Sequence, residues 1–284
     1  MESFAAYLEN RISAASANAY MQDVRLYVAY LSMPPEKSTI SDIEGYLTHL
    51  KNNGRAVATL RRTLSALSAY YAYLIKSGLC TENPAISIPK PETDKKIPVI
   101  LTEEEVHRLL TAPIGHDPMA IRDRAMLELL YATGITVSEL LSLNMDSVNL
   151  RRRMLSLSLR GKKRAVPFGR PASQALGEYI RQIRPLTLAG KNESALFLNY
   201  NGKRLSRQGV WKLVKKYKAI AGIDKEITPH MLRHSFAAHL LEHGADLGAI
   251  GEMMGFSDPA SLKIYPKILE NKIVDIYTKA HPRA

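Results

Sequence analysis

Three side chains that could act together on a phosphodiester lie near the end of the sequence. His230 stands three residues before Arg233, and Tyr265 follows between Lys263 and Lys267. An imidazole can move protons, a guanidinium can bind phosphate oxygens through two hydrogen bonds, and a phenol can act as a nucleophile. Each residue alone is more often structural or exposed, but the set indicates chemistry at a phosphate.

A helix must position the first two of these groups. Thr228 can cap a helix and Pro229 suits its first turn, so the sequence predicts a helix from His230 to Leu241 that ends near residue 244. His230 and Arg233 then share a face close to the helix N-terminus. The helix dipole favours an anion at that end, which supports a phosphate as the bound group.

Metal chemistry has weaker support. His239 and His243 have the i, i+4 spacing of zinc ligands, but a third ligand is not evident, so core or capping roles are favoured and no metal site is predicted. The single cysteine, Cys80, excludes an intrachain disulfide and a Cys-rich zinc site. This cysteine usage fits a reducing compartment.

The charge of the chain favours a polyanionic partner. The 284 residues include 39 Lys and Arg against 27 Asp and Glu, a formal net charge of +12. Positive charge of this size suits nucleic acid, because each neutralised phosphate releases counterions. Because the sequence has no apolar run of about 18 residues and no signal-peptide pattern at its start, a cytoplasmic protein without a membrane partner is expected.

Residues 1–82 predict a helical N-terminal domain, with breaks at residues 33–35 and 52–54. Its last helix carries one apolar stripe at steps of four and three residues. The stripe consists of Leu60, Leu64, Leu67, Tyr71 and Leu74. Arg61 and Arg62 fall on the other side of this helix, where they can face solvent or DNA phosphates.

Residues 83–98 predict a linker, since they hold four prolines and no helical period. A second domain, residues 99–284, opens at a capping box formed by Thr102 and Glu105. Helices are predicted over 123–133 and 137–143, and a basic β-hairpin over 154–159 and 165–168 turns at Gly161 and Lys162. A third strand is predicted over 195–199. The predicted fold is mainly α with a small antiparallel β-sheet in the C-terminal domain.

Several motifs occur in one order along the chain. They are YATGITVSELL from Tyr131, GKKRAVP from Gly161, TPHMLRHSFAAHLL from Thr228, the single Tyr265, and HPRA from His281. Together they resemble the tyrosine site-specific recombinases of the phage-integrase family, particularly the Xer group. The resemblance covers nearly the whole chain and implies a helical core-binding domain followed by an α+β catalytic domain.

The resemblance implies DNA cleavage and rejoining through a 3′-phosphotyrosyl link, chemistry like that of type IB topoisomerases, without a metal or nucleotide cofactor. By carry-over, Tyr265 attacks the phosphate and Lys162 protonates the departing 5′ oxygen. Arg233 and a first arginine hold the non-bridging oxygens, and His230 assists proton transfer at the tyrosine. Lys163 and Arg164, beside Lys162, are expected to contact DNA.

The resemblance also implies partners and a setting. A homodimer on one double-stranded recombination site and a tetramer in synapsis are expected. Plasmid maintenance and mobile-element integration use the same machinery, but the Xer resemblance favours chromosome dimer resolution, a step of chromosome partition in the cell cycle. A tail helix is predicted over residues 268–280. It could dock on a neighbouring subunit or pack on its own domain.

Two positions depart from the family pattern. Thr136 stands where the first arginine is expected, and Phe256 stands where a His or Trp is expected. Thr offers no guanidinium and Phe offers no hydrogen bond. Phe256 could keep a packing role, and another arginine could replace the missing one. The candidates for that replacement are Arg122, Arg124, Arg160 and Arg164.

The departures keep two other classes of function open. One is a catalytically impaired, DNA-binding member of the same fold. The other is a helix-turn-helix transcription factor built on Leu232 to Met254, although it leaves Tyr265 and the hairpin unexplained.

Overall fold

The computed structural model describes residues 2–9, 11–12, 14–92, 98–115, 117–159, 162–256 and 262–268. The chain divides into two compact units, Met1–Lys96 and Ile97–Ala284. The division falls inside the segment that the sequence predicts as a linker.

The first unit is a set of four helices. They are α1 (Glu2–Glu9), α2 (Ala14–Tyr30), α3 (Ile40–Asn52) and α4 (Val57–Lys76), with a single 3-10 turn at Pro35–Lys37 between α2 and α3. The predicted apolar stripe of α4 is buried along its whole length, from Leu60 to Leu74. It packs against the apolar faces of α1, α2 and α3, which forms the core of this unit.

The start of the predicted linker also belongs to this unit. Asn83 Nδ2 donates to the backbone carbonyl of Ser68 at 2.9 Å, and Ala85 and Ile88 are buried in the helical core. These apolar side chains lose water-exposed surface by packing there, which favours an ordered segment over a free linker up to residue 88.

In the second unit, a small sheet lies between two groups of helices in chain order. Helices α5 (Glu103–Thr111), α6 (Pro118–Thr133) and α7 (Val137–Ser142) precede it, and α8 (Arg170–Glu178), α9 (Arg184–Leu188), α10 (Arg207–Ile220), α11 (Pro229–Glu242) and α12 (Leu247–Met254) follow it. A π-helical segment, Tyr179–Ile183, joins α8 to α9. Helix α6 packs against α5, α8 and α11, so it lies at the centre of this unit.

The sequence predicts the starts of these helices well. Thr102 and Glu105 form the predicted capping box of α5, with bonds of 2.7 and 3.1 Å. Helix α11 begins at Pro229, as the Thr-Pro pair predicts, but the Thr228 side chain makes no capping hydrogen bond. The prediction of Thr228 as a side-chain cap is therefore wrong, and Pro229 accounts for the start of the helix because its ring fixes a helical φ.

The sheet is antiparallel, with strands β1 (Val148–Asn149), β2 (Met154–Leu159) and β3 (Lys162–Pro167) in the order β1-β2-β3. The predicted hairpin is confirmed, but β3 begins at Lys162, which pairs with Leu159, and not at Ala165. The residues of its turn, Arg160 and Gly161, lie outside the described residues.

The third predicted strand, over residues 195–199, is wrong. Ala195 and Leu198 make only isolated bridges, to Asn144 and Arg204, while the two-residue strand β1 takes the third place in the sheet. Leu196 and Phe197 of this segment are buried in the core of the unit. A short run of buried apolar residues is the pattern that also indicates a buried strand, so the sequence alone could not distinguish the two.

The fold class predicted from the sequence is confirmed: a mainly helical chain with a small antiparallel sheet in its second unit. Among the described helices, none is long and apolar enough to cross a membrane. The predicted tail helix over 268–280 lies outside the described residues, except for Ile268.

Candidate active site

Arg233 is a buried guanidinium with fixed bonds. Helix α11 carries it into the unit, where its Nη1 donates to the backbone carbonyl of Gly134 and its Nη2 donates to that of Met254 at 2.8 Å. Gly134 adopts φ 59° at the end of α6, a conformation that glycine allows. The arginine is therefore held between the end of α6 and the end of α12.

Tyr265 is fully buried beside the same helix. Its Oη lies 3.0 Å from Nδ1 of His234, which is half-buried on α11. Burial raises the pKa of the phenol to about 12, against a smaller lowering by the charge of Arg233. Burial also lowers the pKa of His234 to about 4, helped by the charges of His230 and Arg233. Phenol and imidazole are both neutral at pH 7.

His230, to which the family resemblance gives the role of assisting proton transfer at Tyr265, lies one turn before His234 on α11. Its ring is exposed, and its pKa is lowered by partial desolvation and by the nearby charges of Arg233 and Arg207. The imidazole at hydrogen-bond distance from Tyr265 is that of His234, which the sequence analysis missed. The available signal was its place directly after Arg233 and four residues after His230.

Thr136 has a structural role at the position of the expected arginine. It is the N-cap of α7, where its Oγ1 accepts from the backbone nitrogen of Glu139 at 3.2 Å, and its own backbone nitrogen donates to Glu139 Oε2 at 2.8 Å. Threonine is among the residues preferred at this position. Thr136 thus starts the helix and orients the Glu139 carboxylate.

Glu139 is a buried carboxylate paired with Arg164. Arg164 lies on β3, and its Nη1 donates to Glu139 Oε1 at 2.5 Å while its Nε donates to the backbone carbonyl of Met253 at 3.0 Å. Burial raises the pKa of Glu139, but the bonds from Arg164 and Thr136 outweigh it, so the pKa is lowered. The carboxylate is ionised at neutral pH.

Phe256 packs on the site. The guanidinium carbon of Arg233 lies 4.9 Å from the centre of its ring, a distance at which a cation is attracted to the ring face. This contact matches the packing role left open for Phe256 by the sequence. The ring supports the position of Arg233 without a hydrogen bond.

Two of the other predicted site residues lie in the hairpin. Lys162 is the first residue of β3, two residues before Arg164 on the same strand. Lys163 is exposed, on the opposite face of β3 from Arg164.

The two arginines predicted to meet DNA from the first unit differ in their contacts. Arg62 is paired with the buried carboxylate of Asp23 through two bonds of 2.8 and 3.0 Å, so it joins α4 to α2. Arg61 is only partly exposed, and its backbone carbonyl accepts from Ser65 Oγ at 3.0 Å.

The histidine pair considered for zinc has other partners. His239 is buried, with Nδ1 at 2.9 Å from Tyr131 Oη and Nε2 at 2.9 Å from the backbone carbonyl of Leu101. Both ring nitrogens are used, which fits the core role that the sequence favours. In the described part of the chain, no group of three or more His, Cys, Asp or Glu side chains could hold a metal ion.

A helix-turn-helix reader would need one exposed helix face for the DNA groove. Helix α11 does not offer one, since most of its residues are buried, including Leu232, Arg233, Phe236 and Ala237. Within Leu232 to Met254, however, α11 would be the first helix and α12 the recognition helix. What counts against the transcription-factor interpretation is the contact of Tyr265 with His234, which it leaves unexplained.

Two family models match the chain. The model described as "Phage integrase family" matches residues 100–272, and that described as "Phage integrase, N-terminal SAM-like domain" matches residues 1–78. The two matches fall in the second and the first unit, respectively.

Curated relatives cover almost the whole chain. Tyrosine recombinase XerD of Oceanobacillus iheyensis is 39% identical over 284 residues, which are 98% of this chain and 95% of the relative. Tyrosine recombinase XerC of Alcanivorax borkumensis is 37% identical over 279 residues, which are 97% of this chain and 91% of the relative.

Solved structures share the fold. XerH site-specific recombinase bound to a palindromic difH substrate, in a post-cleavage complex, matches with a TM-score of 0.74 at 21% identity, covering 92% of this chain and 79% of that one. A lambda integrase dimer bound to a COC′ core site matches with a TM-score of 0.72 at 19% identity, covering 93% and 92%. Together with the family models and the curated relatives, which carry the assignment, these matches lead to one conclusion: the chain belongs to the phage integrase family, as a tyrosine recombinase of the Xer type.

Proposed function

We propose that this chain performs site-specific DNA recombination by cleaving and rejoining strands through Tyr265. The observation that carries the proposal is the placement of one buried phenol against an imidazole, His234, beside the buried guanidinium of Arg233. A nucleophile, a proton acceptor and an oxyanion-binding cation within one cluster are the groups that phosphoryl transfer needs.

The proposed step exchanges one phosphodiester bond for another. Tyr265 Oη forms a bond to phosphorus, the bond from phosphorus to the 5′ oxygen breaks, and the 3′ phosphate stays on the tyrosine. The phenol proton passes to an imidazole, for which His234 is at the right distance and His230 is one turn away. The 5′ oxygen takes a proton from Lys162. Reversal of the same step rejoins the strands, so no external energy source is required.

The proposed substrate is a double-stranded recombination site. The lambda integrase and XerH structures that share this fold hold DNA, and the lambda integrase is a dimer on its core site. We extend this to a dimer of this chain on one site and a tetramer in synapsis, with the tail helix as the subunit contact. With XerD and XerC as relatives, chromosome dimer resolution in the cytoplasm is the proposed setting.

The relatives favour an enzyme over a DNA-binding protein that does not cut. The relatives that carry the family assignment are named recombinases. In addition, Arg233 is buried, and Phe256 packs against its guanidinium.

A trapping experiment tests the proposal. Nicked duplexes built on the recombination sites of XerD relatives lose a short strand after cleavage, so an attack on the phosphate leaves a covalent protein–DNA adduct that resists SDS. We expect the adduct with the wild-type chain and none with Tyr265→Phe. Tyr200→Phe is the matched control, because Tyr200 is 81% exposed in the same unit. An adduct that persists in Tyr265→Phe would rule out this tyrosine as the nucleophile.

A further inference from the structure

Arg164 is the one arginine on β3 that points into the unit. Side chains alternate between the two faces of a strand. Val166 is buried and Arg164 is mostly buried, whereas Lys163, before Arg164, and Ala165, between the two, are exposed. Arg164 therefore lies on the face of the strand that meets α12.

One nitrogen of this guanidinium has no protein partner. Nη1 is bound to Glu139 and Nε to the carbonyl of Met253, but Nη2 is buried without a hydrogen-bond partner among the residues that the structure describes. A buried donor without an acceptor is unfavourable, and in native proteins such a group has a specific cause, of which a catalytic role or a bound water or ion are examples. Nη2 is thus the donor of Arg164 whose hydrogen-bonding capacity an anion would satisfy.

Arg164 and Arg233 are held at neighbouring points. Arg164 donates to the carbonyl of Met253 and Arg233 to that of Met254, consecutive residues at the end of α12. The charge of Arg164 contributes to the lowered pKa of Arg233, after the larger effect of burial. Of the carboxylates, Glu139 faces both guanidinium groups, so this pair of cations keeps excess positive charge.

We propose that Arg164 supplies the guanidinium that is missing at Thr136 and that its Nη2 donates to a non-bridging oxygen of the scissile phosphate. Thr136 is linked to it by a short path, since both residues bond the carboxylate of Glu139. The two arginines, Arg164 and Arg233, then bind the phosphate together. The inference rests on the proposed function and adds a catalytic residue to it.

The test removes the charge from the phosphate as well as from the protein. Adduct formation is measured with wild type, Arg164→Ala and Arg164→Lys on two duplexes, one with an ordinary phosphate at the mapped cleavage position and one with a methylphosphonate there. Loss of one preorganised oxyanion donor slows other enzymes by about 10²–10³-fold. We expect that loss for Arg164→Ala on the phosphate, a smaller loss for Arg164→Lys, and a rate near that of wild type on the neutral methylphosphonate.

The outcomes separate three cases. Equal activity of wild type and Arg164→Ala on the phosphate overturns the inference. An equal loss on both duplexes also overturns it, because a residue that only supports Glu139 is needed whatever the charge of the substrate. Absence of any adduct with wild type contradicts the proposed function itself. A further variant, Thr136→Arg in the Arg164→Ala background, is expected to regain part of the rate on the phosphate, and no gain would contradict a shared role.

Discussion

Tyr265 stands in a state that disfavours attack. The pKa of its phenol is about 12 and that of the facing His234 is about 4. In this arrangement, moving the proton from one to the other costs on the order of 10 kcal/mol, since each pKa unit is worth about 1.4 kcal/mol. A phosphate anion raises the pKa of a nearby imidazole. We therefore expect bound DNA to reduce the difference between the pKa values of Tyr265 and His234, which makes the loss of the phenol proton easier.

The same histidine should make the stability of the fold depend on pH. An unfolded histidine has a pKa near 6.5 and His234 has about 4, so the unfolded chain binds the proton more readily between these values. The contribution of neutral His234 to the free energy of unfolding is fully present above pH 6.5 and decreases as the pH is lowered toward 4. Between pH 7 and about 4.5, we expect the free energy of unfolding to decrease less in His234→Gln than in wild type, by on the order of 1–3 kcal/mol. Urea unfolding of both proteins at the two pH values measures it, and an equal fall in both would contradict it.

At the scale of elements, the end of α12 fixes Arg164. Gly255 follows this helix with φ 70°, and a Cβ there would lie 2.6 Å from Arg164 Nη1, whereas a Cβ on Gly244, with φ 82° after α11, would meet nothing within 4 Å. Alanine should strain both backbones by about 1 kcal/mol. Beyond this common strain, we expect Gly255→Ala, and not Gly244→Ala, to slow adduct formation, by up to about 10²-fold, because the added Cβ displaces the guanidinium of Arg164. Similar rates for the two variants, at matched melting temperatures, would contradict this.

Local signals predicted the elements, and long-range contacts limited the prediction of the site. The stripe of α4, the capping box at Thr102 and the start of α11 follow from residues within a few positions of one another. The partner of Tyr265 does not, because His234 lies 31 positions away and the pairing depends on packing. The sequence could likewise offer four arginines for the missing guanidinium, but only the alternation of β3 and the bonds to Glu139 distinguish Arg164.

For the whole molecule, charge should control DNA affinity. A chain of net charge +12 that neutralises several phosphates loses affinity steeply with salt, by about 10³–10⁵-fold between 50 and 200 mM for six to ten contacts. Lys163 is exposed and proposed to meet phosphate, so Lys163→Ala should reduce the slope of log K against log salt by about 0.9.

Arg62 provides the comparison for this prediction, because its bonds to Asp23 hold two helices together. Arg62→Ala leaves the buried Asp23 carboxylate unpaired, and we expect it to lower the free energy of unfolding as well as any DNA affinity. Lys163→Ala should leave unfolding unchanged within about 0.5 kcal/mol, as is usual for exposed positions. Salt titrations of DNA binding and denaturant unfolding of both variants measure the two effects. If Lys163→Ala destabilised the fold or left the salt slope unchanged, its charge would not be one that binds phosphate, and the basic surface of the second unit would have to lie elsewhere.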